Sequence, residues 1–269
     1  ESRGLGDVYK RQVMEAHQKC EAGNEKIMYY LAQMSHYPYT FKGLIYATQM
    51  VQSDAVRLNV EHMRRNRGEC MGSLYWQVND SNPVISWSSI DYYHRWKALH
   101  YAAKKFYAPV LISADGEDKD NIRLNISSER REEFSAVIRW RSRMNTGEVI
   151  MQGMEDVTVK PLSAEDFITL TPENTGISPD MRDKAYIEFT VIEKGIRLSS
   201  GTFMFVQPKS FRFVDPELKI AAVDMGRKFK IVVSAKAFAK SVCLELRDGD
   251  CLFSDNWFDP VSYTHLRAH

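Results

Sequence analysis

The sequence predicts an α/β segment followed by an all-β segment, with the change near residue 113. Before this point, apolar residues recur at helical spacing on both sides of one short, continuously apolar run. After it, apolar and polar residues alternate in many short stretches that turn signals separate. Helices around a buried strand are typical of α/β units, and short alternating strands without intervening helices are typical of β-sandwiches.

The bulk composition is that of a folded globular protein. At 269 residues, the chain is long enough for one large domain or two to three ordinary ones. Its 44% hydrophobic and 26% charged residues exclude a disordered chain. The formal net charge of +1 gives no reason to expect nucleic acid as a partner. No apolar run approaches the ~18 residues of a spanning helix, so no membrane partner is expected either.

Two helices are predicted ahead of the apolar run. Residues 27–34 form a short one, and a helix of about five to seven turns begins near Phe41. The longer helix carries an apolar stripe at i, i+3, i+4 and i+7 spacing, which predicts that this face is buried. The stripe consists of Phe41, Leu44, Ile45, Thr48, Val51, Ala55 and Leu58.

The apolar run Cys70–Trp76 predicts a strand buried on both faces, as in a parallel sheet. The segment after it, QVNDSNPVISWSSID, carries amides, a carboxylate and a tryptophan in place of a tight turn. Ligand loops of α/β proteins follow the C-terminal ends of strands, so this segment is predicted to build a site. Residues 88–91 are interpreted as a capping box that starts a helix ending at Pro109. The apolar face of that helix is formed by Trp96, Leu99, His100, Ala103 and Phe106.

Beyond residue 113, stretches with a period of two predict short strands. Turn signals separate them at residues 145–147, 193–195 and 248–249. A first sandwich is expected over residues 113–206 and part of a second over residues 207–260, with a junction at Gln207-Pro208-Lys209. The alternating residues are Ile122, Leu124, Ile126, Phe134, Ala136, Ile138, Trp140, Ile187, Phe189, Val191, Phe203, Phe205, Phe229, Ile231, Val233, Val242, Leu244 and Leu246.

The two ends of the chain, ESRGLGDVYKRQ (residues 1–12) and VSYTHLRAH (residues 261–269), resemble translated adapter sequence. The first lacks the apolar core of a signal peptide. We expect the natural protein to continue past both ends, so its compartment and its oligomeric state stay open.

The cysteine pattern predicts free thiols. There are four cysteines and no C-x-x-C pair. Asp248-Gly249 is interpreted as a two-residue hairpin turn, which would place Cys243 and Cys251 on opposite faces of the two strands.

A resemblance to a known family is densest over residues 68–113. This stretch resembles the end of the catalytic barrel in glycoside hydrolase family 2 β-mannosidases, through MGSLYWQVND, the tryptophan in SWSSIDYY and the helix RWKALHYAAKKFYAPV. Residues 253–259, FSDNWFD, resemble a motif near the end of that family's last β-domain. The resemblance implies the C-terminal portion of a (β/α)8 TIM barrel over residues 13–112, followed by immunoglobulin-like β-sandwich domains.

The same resemblance implies retaining hydrolysis of terminal β-mannosides, with a β-mannoside oligosaccharide as substrate and no metal or cofactor. That chemistry needs two carboxylates about 5–5.5 Å apart. In the family both are glutamates, the second in a Ser-Glu-aromatic-Gly motif that this sequence lacks, so both are expected upstream. Glu69 and Asp80 bracket the predicted strand and would lie roughly 30 Å apart or more. Glu61 is interpreted as part of a solvated helix face.

The predicted sugar-binding residues are Trp76, Asn79, Asp80 and Trp87. The resemblance implies that Trp76 stacks beneath the sugar, because a pyranose ring has an apolar face that suits an indole. Asn79 and Asp80 would bond sugar hydroxyls or hold the loop, and Trp87 would wall the pocket. The alternative is that the aromatic rings belong to the core and the amides serve only the loop backbone.

Other candidate residues have structural interpretations. The seven histidines show no metal-binding spacing, and His100 is interpreted as a packed core histidine. The basic run at residues 62–67 ends a helix, where cations suit the helix dipole. Trp140 is in phase with core residues, so we favour a core position over a carbohydrate platform, and for Trp257 both remain open.

Three alternatives remain at the level of sequence. One is a sister specificity, β-galactosidase or β-glucuronidase. The others are a non-catalytic carbohydrate-binding protein built on the sandwiches and an accessory domain without a ligand. With an incomplete barrel, the isolated chain is expected to be inactive and poorly soluble, since an exposed hydrophobic strand edge favours aggregation.

Overall fold

The computed structural model describes residues 12–226, 228–260 and 263–268. The predicted N-terminal adapter segment lies outside these residues apart from Gln12, and the C-terminal one is described only over residues 263–268. The longer helices are Gly23–Met34 (α1), Phe41–Arg65 (α2) and Ala98–Phe106 (α3). In the described residues, no helix is both long and apolar enough to cross a membrane.

Helix α2 is confirmed, but the prediction of its buried face is wrong. Its start is fixed by Thr40, whose side chain accepts a hydrogen bond from the backbone N–H of Gly43. Phe41, Ile45 and Leu58 of the predicted stripe are exposed. The buried residues are Ala47, Met50, Asp54, Val60 and Glu61. The polar face is buried because ion pairs neutralise its carboxylates, a possibility that apolar periodicity does not detect.

The predicted strand Cys70–Trp76 is not formed. Residues 71–76 make no backbone–backbone hydrogen bonds to the described part of the chain. Met71, Leu74 and Trp76 are exposed. A strand buried in a parallel sheet requires hydrogen-bonded neighbours, and no described strand lies beside this segment.

Helix α3 begins at Ala98, so the capping box predicted at residues 88–91 is wrong. Asp91 closes a turn of its own instead, accepting hydrogen bonds at Oδ1 from the backbone N–H groups of Tyr93 and Arg95. The side chains of Leu99, Ala103 and Phe106 on the predicted face are buried and pack against Val60 of α2.

The all-β prediction is confirmed. One sheet has three strands in the order β1-β2-β5, and the other has four in the order β4-β3-β6-β7. All neighbouring strands are antiparallel. The strands are Val110–Asp115 (β1), Ile122–Ser128 (β2), Phe134–Met144 (β3), Val149–Val159 (β4), Ala164–Leu170 (β5), Ala185–Glu193 (β6) and Ile196–Met204 (β7), with the short helix Pro172–Thr175 (α4) after β5.

The core of this sandwich consists of the residues that the period of two predicts. Ile122, Leu124 and Ile126 of one sheet share a cluster with Ile138 and Ile187 of the other. All five side chains are almost completely buried. Trp140 packs against this cluster while remaining half-buried. The inward-facing apolar residues therefore hold the two sheets together.

The last β-unit is a three-stranded antiparallel sheet in the order β10-β9-β8. Its strands are Lys219–Asp224 (β8), Phe229–Ser234 (β9) and Tyr263–Ala268 (β10). The hairpin predicted at Asp248-Gly249 is wrong, because no strand flanks that turn. The side chain of Asn256 takes the place of a partner strand, bonding both the N–H and the carbonyl of Leu244. The four cysteines are free, as predicted.

Candidate functional site

Asp80 is the centre of a hydrogen-bond network in the loop after Trp76. Its side chain is buried, and Oδ1 accepts a hydrogen bond of 2.6 Å from Ser86 Oγ. Oδ2 accepts one of 2.5 Å from Ser88 Oγ and lies 3.3 Å from Lys97 Nζ. Lys97 also donates to Ser88 Oγ at 2.7 Å. The carboxylate therefore ties both ends of the loop to the start of α3.

This network lowers the pKa of Asp80. Burial of the carboxyl group acts to raise the pKa, since it disfavours the charged form. The hydrogen bonds from Ser86 and Ser88 and the charge of Lys97 outweigh burial and bring the pKa below its ordinary value. Asp80 is therefore an ionised anchor rather than a proton donor at neutral pH.

Backbone hydrogen bonds hold the two halves of the loop side by side. Ile90 donates from its N–H to the carbonyl of Val78 at 2.8 Å, and Asp80 donates to the carbonyl of Ile90 at 3.2 Å. Gln52 of α2 donates from Nε2 to the carbonyl of Trp87 at 2.8 Å. The loop is thus fixed both to itself and to the long helix.

The two predicted tryptophans, Trp76 and Trp87, are exposed at the surface of this hydrogen-bonded loop. The side chain of Trp76 is 73% exposed and that of Trp87 is 48% exposed. The peptide bond between Trp76 and Gln77 is cis. Asn79 is also exposed, and its amide makes one long hydrogen bond of 3.4 Å to the carbonyl of Asp80. These three side chains are available to a ligand, whereas the carboxylate of Asp80 is occupied by the loop itself.

The sequence did not reveal the partners of Asp80. The pattern at residues 88–91 predicts Ser88 as part of a helix cap, and hydropathy does not distinguish Ser86 or Lys97 from other polar residues. The available signal was the Ser-Trp-Ser spacing, which places two hydroxyl groups on either side of an outward-facing tryptophan. A lysine at the following helix start would complete the set of donors for a buried carboxylate.

The remaining carboxylates of α2 are held in ion pairs. Asp54 lies 3.3 Å from Nη2 of Arg57 and 3.2 Å from Nζ of Lys240. Glu61 is buried and pairs with Nη1 of Arg57 at 3.1 Å, so its assignment to a solvated face is wrong. Burial acts to raise the pKa of Asp54, but Lys240 and Arg57 lower it overall. Asp54 therefore joins α2 to the last β-unit as an anion, and Glu61 pairs within the helix.

The basic run at the end of α2 bonds to the neighbouring elements. Arg64 donates from Nη1 to the carbonyls of Phe106 at 2.6 Å and Ala108 at 2.8 Å. Arg67 pairs with Glu129 at 2.6 Å. A guanidinium group thus satisfies carbonyls at the C-terminal end of α3, where a cation also suits the dipole. These bonds give the run a structural role.

His100 packs against the loop through contacts with Ser89 and Trp96. Nδ1 of His100 lies 3.0 Å from Ser89 Oγ, and its ring contacts that of Trp96. Burial lowers the pKa of His100. In the described residues, no group of three or more His, Cys, Asp or Glu side chains is placed to hold a metal ion.

Two family models match the β-rich part of the chain. The Mannosidase Ig/CBM-like domain matches residues 120–210, and an Ig-fold domain matches residues 213–261. Among curated relatives, the β-mannosidase of Capra hircus is 45% identical over 87 residues, which cover 30% of this chain. The predicted resemblance to β-mannosidases is confirmed.

Two further β-mannosidases extend the match over nearly the whole chain. β-Mannosidase B of Aspergillus flavus is 26% identical over 261 residues, or 88% of this chain. The crystal structure of β-D-mannosidase from Dictyoglomus thermophilum superposes with a TM-score of 0.83 over 95% of this chain at 21% identity, which shows the shared fold. This β-mannosidase-like chain spans 10% of the goat protein, 30% of the Aspergillus flavus protein and 31% of the Dictyoglomus thermophilum chain.

Proposed function

We propose that this chain is part of a retaining, exo-acting β-mannosidase of glycoside hydrolase family 2 that hydrolyses terminal β-D-mannose residues of oligosaccharides or glycoproteins. The observation that carries the proposal is the similarity to β-mannosidases over 88% of the chain. Residues 13–112 are assigned to the end of the catalytic barrel, residues 113–206 to one immunoglobulin-like sandwich and residues 207–260 to part of a second.

The exposed apolar residues of the first segment support the barrel assignment. Met71, Leu74 and Trp76 are exposed, and residues 71–76 make no backbone–backbone hydrogen bonds in the described chain. Contiguous exposed apolar side chains mark a surface that another part of a protein covers. A strand between two neighbours of a barrel would bury this run and satisfy its backbone groups.

The loop held by Asp80 supplies substrate contacts in this proposal. Trp76 provides a flat apolar surface for the face of the mannose ring, and Trp87 forms a wall beside it. Asn79 offers two donors and an acceptor to sugar hydroxyls. Asp80 contributes by positioning the loop, because its oxygens are already bonded to Ser86, Ser88 and Lys97.

The catalytic carboxylates are supplied by another part of the parent protein. Retaining hydrolysis requires two carboxyl groups about 5–5.5 Å apart on either side of the scissile bond. Asp54 and Glu61 are engaged in ion pairs, and Asp80 in the loop network. Because of these ion pairs and hydrogen bonds, none of the three carboxylates is assigned as the acid/base or the nucleophile.

The assay for this proposal is hydrolysis of aryl β-mannoside by the purified chain, with aryl β-galactoside and β-glucuronide in parallel. We expect no turnover of any of the three. Turnover that survives repeated purification and disappears in Glu69→Gln, Asp80→Asn or Asp91→Asn would show that the chain carries its own catalytic carboxylates.

A further inference from the structure

A cavity of about 320 Å³ lies away from the loop around Asp80. Its walls come from helix α2, from the outer face of the four-stranded sheet and from the last β-unit. None of Trp76, Asn79, Asp80 and Trp87 lines it. A concave site at the junction of several units is a common position for ligands.

The charges around this cavity are nearly balanced. Six cationic and five anionic side chains line it. The anionic ones are engaged within the wall: Asp255 pairs with Lys105, and Asp259 accepts hydrogen bonds from Thr202 and the backbone N–H of Ser241. Asp54, Glu61 and Glu188 are likewise in ion pairs with neighbouring cations. Arg139 and Arg197 have no ion-pair partner in the described residues, so their guanidinium groups can donate hydrogen bonds to the hydroxyl groups of a ligand.

One wall presents polar groups that have no hydrogen-bond partner in the described residues. Arg139 on β3 lies directly opposite Thr190 on β6, which in turn lies opposite Ser200 on β7. Arg197 lies next to this row on β7. Side chains opposite each other on adjacent strands are about 4.5–5.5 Å apart. The row therefore offers several donors and acceptors at a spacing that one sugar chain can span.

An aromatic surface completes the lining. Trp257 stacks on Tyr46 of α2, with ring centroids 4.9 Å apart, so its indole is held in place. Trp140 follows Arg139 on β3, so its indole lies on the opposite face of the sheet, against the sandwich core. The fixed indole of Trp257 can pack against the apolar face of a pyranose while hydroxyl groups bond to the polar row.

We propose that this cavity binds a short oligosaccharide at a site separate from the candidate substrate loop. Arg139, Thr190, Ser200 and Arg197 bond its hydroxyl groups, and Trp257 packs against a ring face. The proposal concerns binding and does not depend on hydrolysis.

The test uses the whole chain labelled with ¹⁵N in its five tryptophans. Each indole N–H signal is assigned by a single Trp→Phe substitution. The chain is then titrated separately with β-1,4-mannotriose, cellotriose and chitotriose. We expect a saturable shift of the Trp257 signal with at least one trisaccharide. Shifts of Trp76 and Trp87 report on the substrate loop independently, so failure of the two proposals is distinguishable.

The variant Arg139→Ala/Arg197→Ala is expected to weaken that binding about tenfold, since it removes two hydrogen-bonding groups. The matched control is Arg131→Ala, an exposed arginine outside the cavity, which should bind like the parent chain. A full set of dispersed indole signals confirms that each variant is folded. The proposal is overturned if no trisaccharide shifts the Trp257 signal saturably, or if the double variant binds with unchanged affinity.

Discussion

Ser88 donates a hydrogen bond of 2.5 Å from Oγ to Oδ2 of Asp80, and both side chains are shielded from solvent, with 0% and 6% exposure respectively. A charged acceptor makes this bond stronger than one between neutral groups. Trp76 precedes Asp80 in the sequence and Trp87 immediately precedes Ser88, so the positions of both tryptophans depend on this pair.

Replacement of Asp80 is expected to open the loop. In Asp80→Ala, Lys97 and two serine hydroxyls lose their acceptor, at a cost of about 2 kcal/mol. That loss corresponds to roughly 30-fold faster hydrogen exchange of the Ser89 and Ile90 amides, both of which bond within the loop. The exposed neighbour Asn79 serves as the control, and Asn79→Ala should leave these rates within about twofold. Equal protection in Asp80→Ala and the parent chain would contradict the anchoring role.

Acid is expected to open the same loop. The pKa of Asp80 is lowered in the folded chain, so as the pH falls the unfolded form takes up a proton first. The stabilisation is complete above the unfolded value of 3.8 and is lost as the pH falls below it through the folded pKa. Amide protection of Ser89 and Ile90 should therefore be constant between pH 7 and 5 and decline below about pH 4. In Asp80→Asn this acid-dependent loss should be absent, and an identical decline would assign it to another group.

The ion pair between Asp54 and Lys240 is expected to hold α2 against the last β-unit. The two side chains are 12% and 13% exposed, with 3.2 Å between Oδ2 and Nζ. Asp54→Leu leaves a buried ammonium beside Arg57 and should cost about 3 kcal/mol in urea unfolding followed by tryptophan fluorescence. Asp54→Leu/Lys240→Met should cost less than the single change, since no uncompensated charge remains.

A second ion pair joins the same two units and provides the comparison. Lys42 and Glu245 pair at the surface, with side chains 80% and 55% exposed. Lys42→Ala should produce no measurable loss of stability, because solvent screens the pair. If Lys42→Ala lowers the free energy of unfolding as much as Asp54→Leu does, burial does not decide the strength of these ion pairs.

Arg64 is expected to stabilise the end of α3. Arg64→Met keeps most of the apolar stem but removes the hydrogen bonds to the carbonyls of Phe106 and Ala108. Two lost charge-assisted bonds should lower the unfolding free energy by about 2–3 kcal/mol. Arg64→Lys should recover part of this, because one ammonium cannot reproduce the fork of a guanidinium. Unfolding curves of Arg64→Met that coincide with those of the parent chain would contradict the assignment.

The sequence predicted the strands of the first sandwich correctly, because one face of each strand is apolar and packs against neighbouring strands. Ile122, Leu124 and Ile126 alternate with polar residues, and all three lie in the sandwich core. The length of α2 also agrees with the predicted five to seven turns, although its buried face is not the predicted apolar stripe. The alternation in the sandwich is informative because each sheet must bury its own apolar face.

The failures share a physical cause, which is dependence on distant partners. The buried face of α2 contains Asp54 and Glu61, whose burial requires Arg57 and, from the far end of the chain, Lys240. The run at residues 70–76 has strand composition but lacks a strand neighbour in the described chain. The role of Asp80 depends on Ser86, Ser88 and Lys97, which hydropathy does not connect. Local periodicity carries none of this information.

The most direct test of the central claim uses the parent protein, obtained by recovering the reading frame around residues 13–260. The quantity to measure is kcat/KM for aryl β-mannoside, β-galactoside and β-glucuronide, in the parent protein and in its Trp76→Ala variant. We predict that the β-mannoside is the best substrate and that Trp76→Ala lowers its kcat/KM by about 10- to 100-fold, the effect of losing one sugar-stacking ring. Preference for another glycoside, or unchanged kcat/KM in Trp76→Ala, would contradict the account.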